Sequence, residues 1–472
     1  MEAKGNTKMN FLMKFSYAVG QLTDSIGFNL FYVFFLFFLT DYVKIAPAKA
    51  GTITLIAVLW DGLTDPVIGY ISDNLKSKYG RRRPLMLLGA LPYGVFTFLL
   101  FHNIQGSETF LYVYYLVLAI VYWSVYKIFV IPYFSLGAEL TDDFDERTSL
   151  RAWASVFLYI GVLISSSLPP VIVDFVIQAG GTATQGWDVV GILMGALVLI
   201  TALFSWNFTR GGENLELQES REEEEQTGFF RNIKELFSMK ASIYLGISVF
   251  SWACAAALLS GGIIYLIDNN LAYSASQQSY YFIFLALISI VFVPFINSLS
   301  QRFDKKSVFA VSLVIATIAL LLFAVVPLTN YLMVIIYTAL YSWGNAVFWT
   351  NYYSMMYDIS ELDEFIYGQR REGTITSLMS FAQKAGAALA TWLIGFSLSL
   401  ANYDGTIATQ TPAAERMILY LVTLIPGILG SIAAGAAFIY PITKPRFEAL
   451  MTALVAKRKG EEYSTKDFEK ML

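Results

Sequence analysis

Residues 55–84 read "LIAVLWDGLTDPVIGYISDNLKSKYGRRRP", from Leu55 to Pro84. The first half is apolar enough to cross a bilayer, yet it carries Asp61 and Asp65. A carboxylate at the centre of a membrane helix costs roughly 2.5–3.5 kcal/mol on insertion scales. A helix that bears this cost twice, four residues apart, cannot turn those residues to lipid. If the rest of the chain is membranous too, the two acids must face other parts of the protein.

The chain has 472 residues, 56% hydrophobic and 14% charged, against about 25% charged in soluble domains. Apolar runs of the roughly 20 residues needed to span a bilayer recur throughout. Twelve lie near residues 13–40, 50–72, 84–102, 110–135, 152–177, 188–208, 242–267, 278–299, 307–327, 331–357, 375–400 and 416–440. The alternating pattern of a lipid-facing β-barrel is absent. The first run lacks a small-residue cleavage site and reads as a retained helix. The expected fold class is an all-α polytopic membrane protein of twelve transmembrane helices, multi-pass in the cell (inner) membrane.

Every Lys and Arg except Lys44, Lys49, Arg416, Lys127 and Lys384 falls on one side of this arrangement. The positive-inside rule therefore places both termini in the cytoplasm. Cys254 is alone within an apolar run, so it reads as a packing residue and no disulfide framework is expected. The lone His102, at the far end of the third helix, reads as merely exposed. Residues 209–241 form the longest polar segment and an acidic cytoplasmic linker. The expected domains are 1–208, a six-helix bundle; 209–241, the linker; 242–441, a second six-helix bundle; and 442–472, a cytoplasmic tail.

The halves carry traces of a repeat. "IPYFSLGAEL" at 131–140 aligns without gaps to "TNYYSMMYDI" at 350–359. Tyr133 then falls opposite Tyr352, Ser135 opposite Ser354 and Glu139 opposite Asp358. Two bundles related by an axis along the membrane normal are expected, with substrate near the midplane between them.

Two carboxylates in low dielectric repel, and a proton or monovalent cation relieves the repulsion. Asp61 and Asp65 share one helix face, so two readings stand: a permanent salt bridge to a basic residue, or a cation site whose occupancy changes. The surrounding sequence adds to this. "WDGLTDPVIGYISDNLKSKYGRRRP" resembles the second helix and following loop of the glycoside–pentoside–hexuronide:cation symporters, the melibiose-permease branch of the major facilitator superfamily. "SYAVGQLTDSIGFNLFYVFFLFFLTDYV", "DISELDEFIYGQRREGTITSLMSFAQKAGAALA" and "YPIT" at 440–443 are similar to further segments of that family.

The resemblance implies the major facilitator fold, cation coupling through Asp61 and Asp65, a sugar-contacting acid at Asp24 and an intramembrane lysine at Lys384. It implies a conformational latch in the loop that includes Gly69, Asp73, Gly80 and Arg81, with Glu139, Asp358 and Arg370 as gating partners. Tyr126 and Trp349, like Tyr122 and Trp123, are candidates to stack on a sugar, and Asn345 and Asn351 to hydrogen-bond it. The chain departs from the family on helix four, where Lys127 and Val130 occupy positions of a polar cation ligand and an acid. Lys127 is then the counter-ion of the acid pair, a ligand with Lys384 for an anionic group, or a locally paired residue.

The expected activity is cation-coupled symport, with H+ or Na+, of a sugar or glycoside, with an anionic uronate-type substrate as a variant. The alternative is a lysolipid or other amphiphile symporter of the same branch. One His and one Cys, far apart, speak against metal or Cys–His catalysis. No enzyme activity, catalytic residue, metal or cofactor beyond the coupling ion is expected. The expected partners are a small-molecule substrate, the coupling cation and the lipid bilayer, with no nucleic acid, and the protein is expected to be a monomer.

Overall fold

The computed structural model describes residues 9–75, 77, 80, 82–140, 144–210, 235–326, 328–369, 371–407 and 409–471. Every long element among them is a helix. In chain order these are α1 (Phe11–Asp41), α2 (Pro47–Asn74), α3 (Arg83–Leu100), α4 (Glu108–Glu139), α5 (Phe144–Gln178), α6 (Ala183–Phe208) and α7 (Lys240–Asn270). There follow α8 (Ala275–Arg302), α9 (Lys305–Val325), α10 (Tyr331–Tyr367), α11 (Glu372–Leu400), α12 (Pro412–Ile439) and α13 (Lys444–Lys459). Eleven of them are long and apolar enough to cross a membrane. The remaining expected span is α11, whose 29 residues would reach roughly 43 Å at 1.5 Å per residue. Ser377, Ser380, Gln383 and Lys384 make it more polar than the rest.

Local chemistry explains where the helices start and stop. Ser107 and Asn330 cap α4 and α10 by accepting from backbone amides, and Thr182 and Gln185 form a capping box on α6. The turn after α10 needs a left-handed residue, and Gly368 supplies it at φ 71°. Three helices are locally irregular. A π turn at Phe31–Phe35 widens α1, another at Leu266–Asn270 closes α7, and α12 breaks at Thr423, whose hydroxyl donates to the Leu419 carbonyl at 2.6 Å. In an apolar surround such breaks persist only where freed backbone groups find partners.

The chain forms two compact units. The first holds Met1–Glu224, Ala272–Ala286 and Leu398–Gln410, and the second Glu225–Leu271, Leu287–Ser397 and Thr411–Leu472. Internally they repeat one packing order. In the first, α3 packs on α4 and α6, and α1 on α6; in the second, α9 packs on α10 and α12, and α7 on α12. The short sequence repeat lies at matching places in this scheme, since Tyr133 on α4 and Tyr352 on α10 are both buried.

Within the first unit α3 and α6 cross at two glycines. A Cβ on Gly94 would lie 2.8 Å from the Gly195 carbonyl oxygen, and one on Gly195 would lie 2.5 Å from that of Gly94. Close backbone approach through small residues is a usual way for membrane helices to pack. Alanine in place of a helical glycine gains about 1 kcal/mol of propensity, but overpacking against backbone costs about 1–3 kcal/mol. Gly195→Ala is therefore expected to lower the thermal unfolding midpoint of the purified protein, measured in detergent, despite alanine's better helix propensity.

Candidate functional site

α2 opens with Pro47, whose missing N–H is no loss in a first turn, and runs through Asp61 and Asp65. α4 packs along α2 and brings Lys127 to the acids. The Lys127 ammonium lies 2.9 Å from an Asp61 carboxylate oxygen and contacts an Asp65 carboxylate oxygen. It also donates to the Asp61 backbone carbonyl at 2.6 Å. Beside this, Trp60 Nε1 donates to Ser124 Oγ at 2.9 Å, so adjacent residues of α2 both engage α4. Burial of the three charges is uneven. The side chains of Lys127 and Asp61 are each 2% exposed, whereas that of Asp65 is 35% exposed.

Asp24, on α1, accepts from Gln21 Nε2 at 2.6 Å and from the Tyr126 hydroxyl at 2.5 Å. Tyr126 precedes Lys127, so one turn of α4 reaches an acid on α1 and the acid pair on α2. The Tyr126 ring is fixed edge-on by Trp123 and Tyr93, with centroids at 5.0 and 5.5 Å. Tyr93 in turn donates to the Thr23 carbonyl at 3.1 Å. It lies so close to α1 that a Cβ on Gly27 would collide with its hydroxyl. Tyr122 and Trp123 are fully buried against Phe31, which places them in packing.

The second unit carries the other candidates. Asn345 accepts from Trp349 Nε1 at 3.1 Å and Trp252 Nε1 at 3.3 Å, so it is the hub of two indoles. Lys384 is half-buried on α11, next to Gln383, which accepts from the Tyr352 hydroxyl at 3.3 Å. Asn351 is buried and accepts from Ser300 at 3.2 Å. Asp358 is held by Lys305, 2.9 Å from each carboxylate oxygen.

Of the residues expected to form a latch, Gly69 lies on α2 and Gly80 takes φ 92°, a left-handed value that favours glycine. Arg81 and Arg370 lie outside the described residues, as do the side chains of Asp73 and Glu139. Arg371 is described, and it binds Asp363 at 2.5 Å and Glu235 at 2.5 Å. His102 is a correction to the sequence reading. Its Nδ1 lies 2.7 Å from Asp188, so it is a paired residue and not merely exposed.

Sequence reasoning passed over Gln21, Lys305, Asp363 and Glu235. Gln21 stands three residues before Asp24, a spacing that puts both on one helix face, so a local signal existed for it. Asp363 meets Arg371 eight residues on, across the turn after α10, whereas Lys305 and Glu235 meet their partners through tertiary packing.

With this geometry in hand, comparison with known proteins is direct. Residues 16–444 match the family described as MFS/sugar transport protein. The chain belongs to the MFS/sugar transport protein family. It is 26% identical to the uncharacterised symporter YnaJ of Bacillus subtilis (strain 168), over 95% of each chain. It is 23% identical to the isoprimeverose transporter of Lactiplantibacillus pentosus, over 97% of this chain and 94% of that one. A solved D-xylose–proton symporter shares the fold with a TM-score of 0.68 at 14% identity, over 91% of this chain and 97% of that one. This MFS family member is thus a multi-pass membrane transporter and not an enzyme, as the sequence implied.

Within this MFS transporter the Lys127 cluster has a measurable signature. Removing one partner of a buried ion pair costs about 3–5 kcal/mol, because the other charge is left uncompensated. Lys127→Met should therefore destabilise strongly, and adding Asp61→Asn should recover part of that loss. Thermal unfolding of wild type, both single variants and the double variant in detergent forms a double-mutant cycle. A coupling energy above about 1 kcal/mol is expected.

Proposed function

We propose that this transporter is a proton–sugar symporter in which Asp61, Asp65 and Lys127 form the coupling site and Asp24 is the substrate acid. The observation that carries the reading is the position of Lys127, whose ammonium touches both carboxylates. An ammonium and a sodium ion cannot both occupy the space between two acids. A proton needs no such space, only an oxygen.

The three side chains together carry one surplus negative charge. Protonation of one carboxylate cancels it and lowers the penalty for holding the cluster in low dielectric. Asp65 is the natural acceptor, being the only one of the three with a substantially exposed side chain. A proton that favours one conformation and its substrate affinity couples the two movements. Because Lys127 is 1% exposed and engaged by the acids, it is poorly placed to grip a sugar carboxylate. This favours a neutral sugar or glycoside over a uronate.

An ionised carboxylate has about four acceptor sites. At Asp24, Gln21 and Tyr126 donate to one oxygen each, and sugar hydroxyls would join or replace them. Hydrogen bonds to a charged group contribute about 1.5–3 kcal/mol each. In the second unit, the Trp349 ring held by Asn345 is the candidate for sugar stacking. The distribution of basic residues supports cytoplasmic termini.

Uptake into proteoliposomes tests the reading, with a panel of neutral and uronic glycosides that includes isoprimeverose and D-xylose. An inward proton gradient should drive accumulation, and sodium should have little effect on the wild type. Lys127→Thr, which empties the space between the acids, should lose proton-driven accumulation and gain a response to sodium. Strong sodium stimulation of the wild type would overturn the assignment of Lys127. Asp24→Ala should weaken substrate binding by at least about tenfold, the loss of one charge-assisted hydrogen bond. Unchanged affinity in the purified variant would remove Asp24 from the site.

A further inference from the structure

We infer that Tyr126 is the positioning residue through which substrate occupancy at Asp24 changes the ion state of the Asp61–Asp65 pair. The inference rests on the coupling and substrate sites proposed above, and goes beyond them by naming the link.

Tyr126 and Lys127 are consecutive residues of α4, and each is the contact of α4 with a different acid. The Tyr126 hydroxyl binds Asp24 of α1 at 2.5 Å. The Lys127 ammonium binds Asp61 and Asp65 of α2. Successive residues on a helix point about 100° apart, so a small rotation or slide of this turn changes both contacts together. The ring of Tyr126 has little freedom to move by itself. Trp123 and Tyr93 hold it nearly perpendicular on two sides, at interplanar angles of 81° and 80°, and it is buried. A pull on its hydroxyl is therefore passed to the α4 backbone.

Gln21, which also donates to Asp24, cannot do this. Gln21 lies on α1, three residues before the acid it serves, and has no covalent tie to α4. Of these two donors of similar length on one carboxylate, Tyr126 sits on the helix that carries Lys127 and Gln21 does not.

The direction of the effect follows. Without substrate, Tyr126 ties α4 to α1, and Lys127 spans the acid pair. When sugar hydroxyls take over the Asp24 oxygens, the Tyr126 bond loosens and the α4 turn relaxes. Lys127 then withdraws from Asp65, the more exposed acid, which takes a proton from water. Substrate binding promotes proton binding, and by linkage the proton promotes substrate binding to the same degree. Among the described residues, the titratable groups that face Asp61 are Lys127, Tyr122 and Tyr126 on α4 and Tyr32 on α1, while Asp24 faces Tyr93 on α3, Tyr17 on its own helix and Tyr122, Tyr126 and Tyr133 on α4.

The test measures the dissociation constant of the transported sugar of the panel, isoprimeverose first, at about pH 6 and about pH 8.5. In the wild type the constant should rise at least about fivefold with pH, a typical coupling between two sites. In Tyr126→Phe it should change less than about twofold, whatever its absolute value. Gln21→Leu should weaken binding yet keep the wild-type pH ratio. If Tyr126→Phe does not give folded protein, Trp123→Phe keeps the hydroxyl but slackens the ring, and should give an intermediate ratio. A wild-type ratio in Tyr126→Phe, or in Trp123→Phe when it stands in, would overturn the inference. So would equal loss of the ratio in Gln21→Leu. A wild type that responds to sodium and not to pH would defeat the proton reading alone, and the same variants compared across sodium concentrations would then decide the role of Tyr126. A wild type that binds the sugar with no response to either ion overturns both.

Discussion

An ammonium held between two carboxylates, away from water, is the constraint from which the first unit's arrangement follows. Lys127 cannot face lipid, and neither can Asp61 or Asp65, so α2 and α4 must pack with these faces together. Trp60 and Ser124 add a neutral hydrogen bond beside the charges, which helps set the register of the two helices. Neither helix would insert cheaply alone. Each carries its charges at a cost that only the other offsets. The register in turn decides where Tyr126 lies, because it is the neighbour of Lys127, and so where Asp24 finds its second donor.

Much of this was legible in the chain because charges in apolar runs stand out. Asp24, Asp61, Asp65, Lys127 and Lys384 could all be picked by eye, and the meeting of Lys127 with the acid pair was one of the stated alternatives. What could not be read is which partners tertiary packing selects. Asp358 and Lys305 lie 53 residues apart, and nothing near either residue announces the other. Arg371 binds Asp363 and Glu235, and nothing in the sequence near Glu235 announces that pairing. The π turn at Phe31–Phe35 is also silent in sequence, since five apolar residues carry no glycine or proline to mark it. His102 was misjudged for a related reason: its partner, Asp188, belongs to a helix that begins 81 residues later, at Ala183.

The two units share a packing order but not a chemistry. In the first, α4 meets acids from two neighbouring helices. In the second, α10 uses neutral donors and acceptors at the corresponding depth, with Asn345 between two indoles. It keeps its charges for the far end, where Asp358, Asp363 and Glu364 each have a basic partner. A duplicated framework tolerates this because helix packing depends on the shape of facing surfaces. The buried polar groups can diverge provided that each finds a partner.

The end of α10 is also where the C-terminal tail is fastened. Lys457 donates to the Phe365 carbonyl at 2.5 Å, and Arg458 makes two bonds to Glu364. Farther along, Phe468 and Met471 are fully buried, and Phe468 packs on the Phe365 ring at 5.2 Å. Between them Glu461 to Ser464 are exposed, yet the Tyr463 ring meets that of Phe365 edge-on at 5.5 Å. Such a tail is held by spaced studs, most of which converge on Phe365 and Glu364. Over evolutionary time the studs, Tyr463 among them, and Phe365 must vary as a set. For anyone attaching a label, a group placed hard against Met471 would have to unseat the last stud.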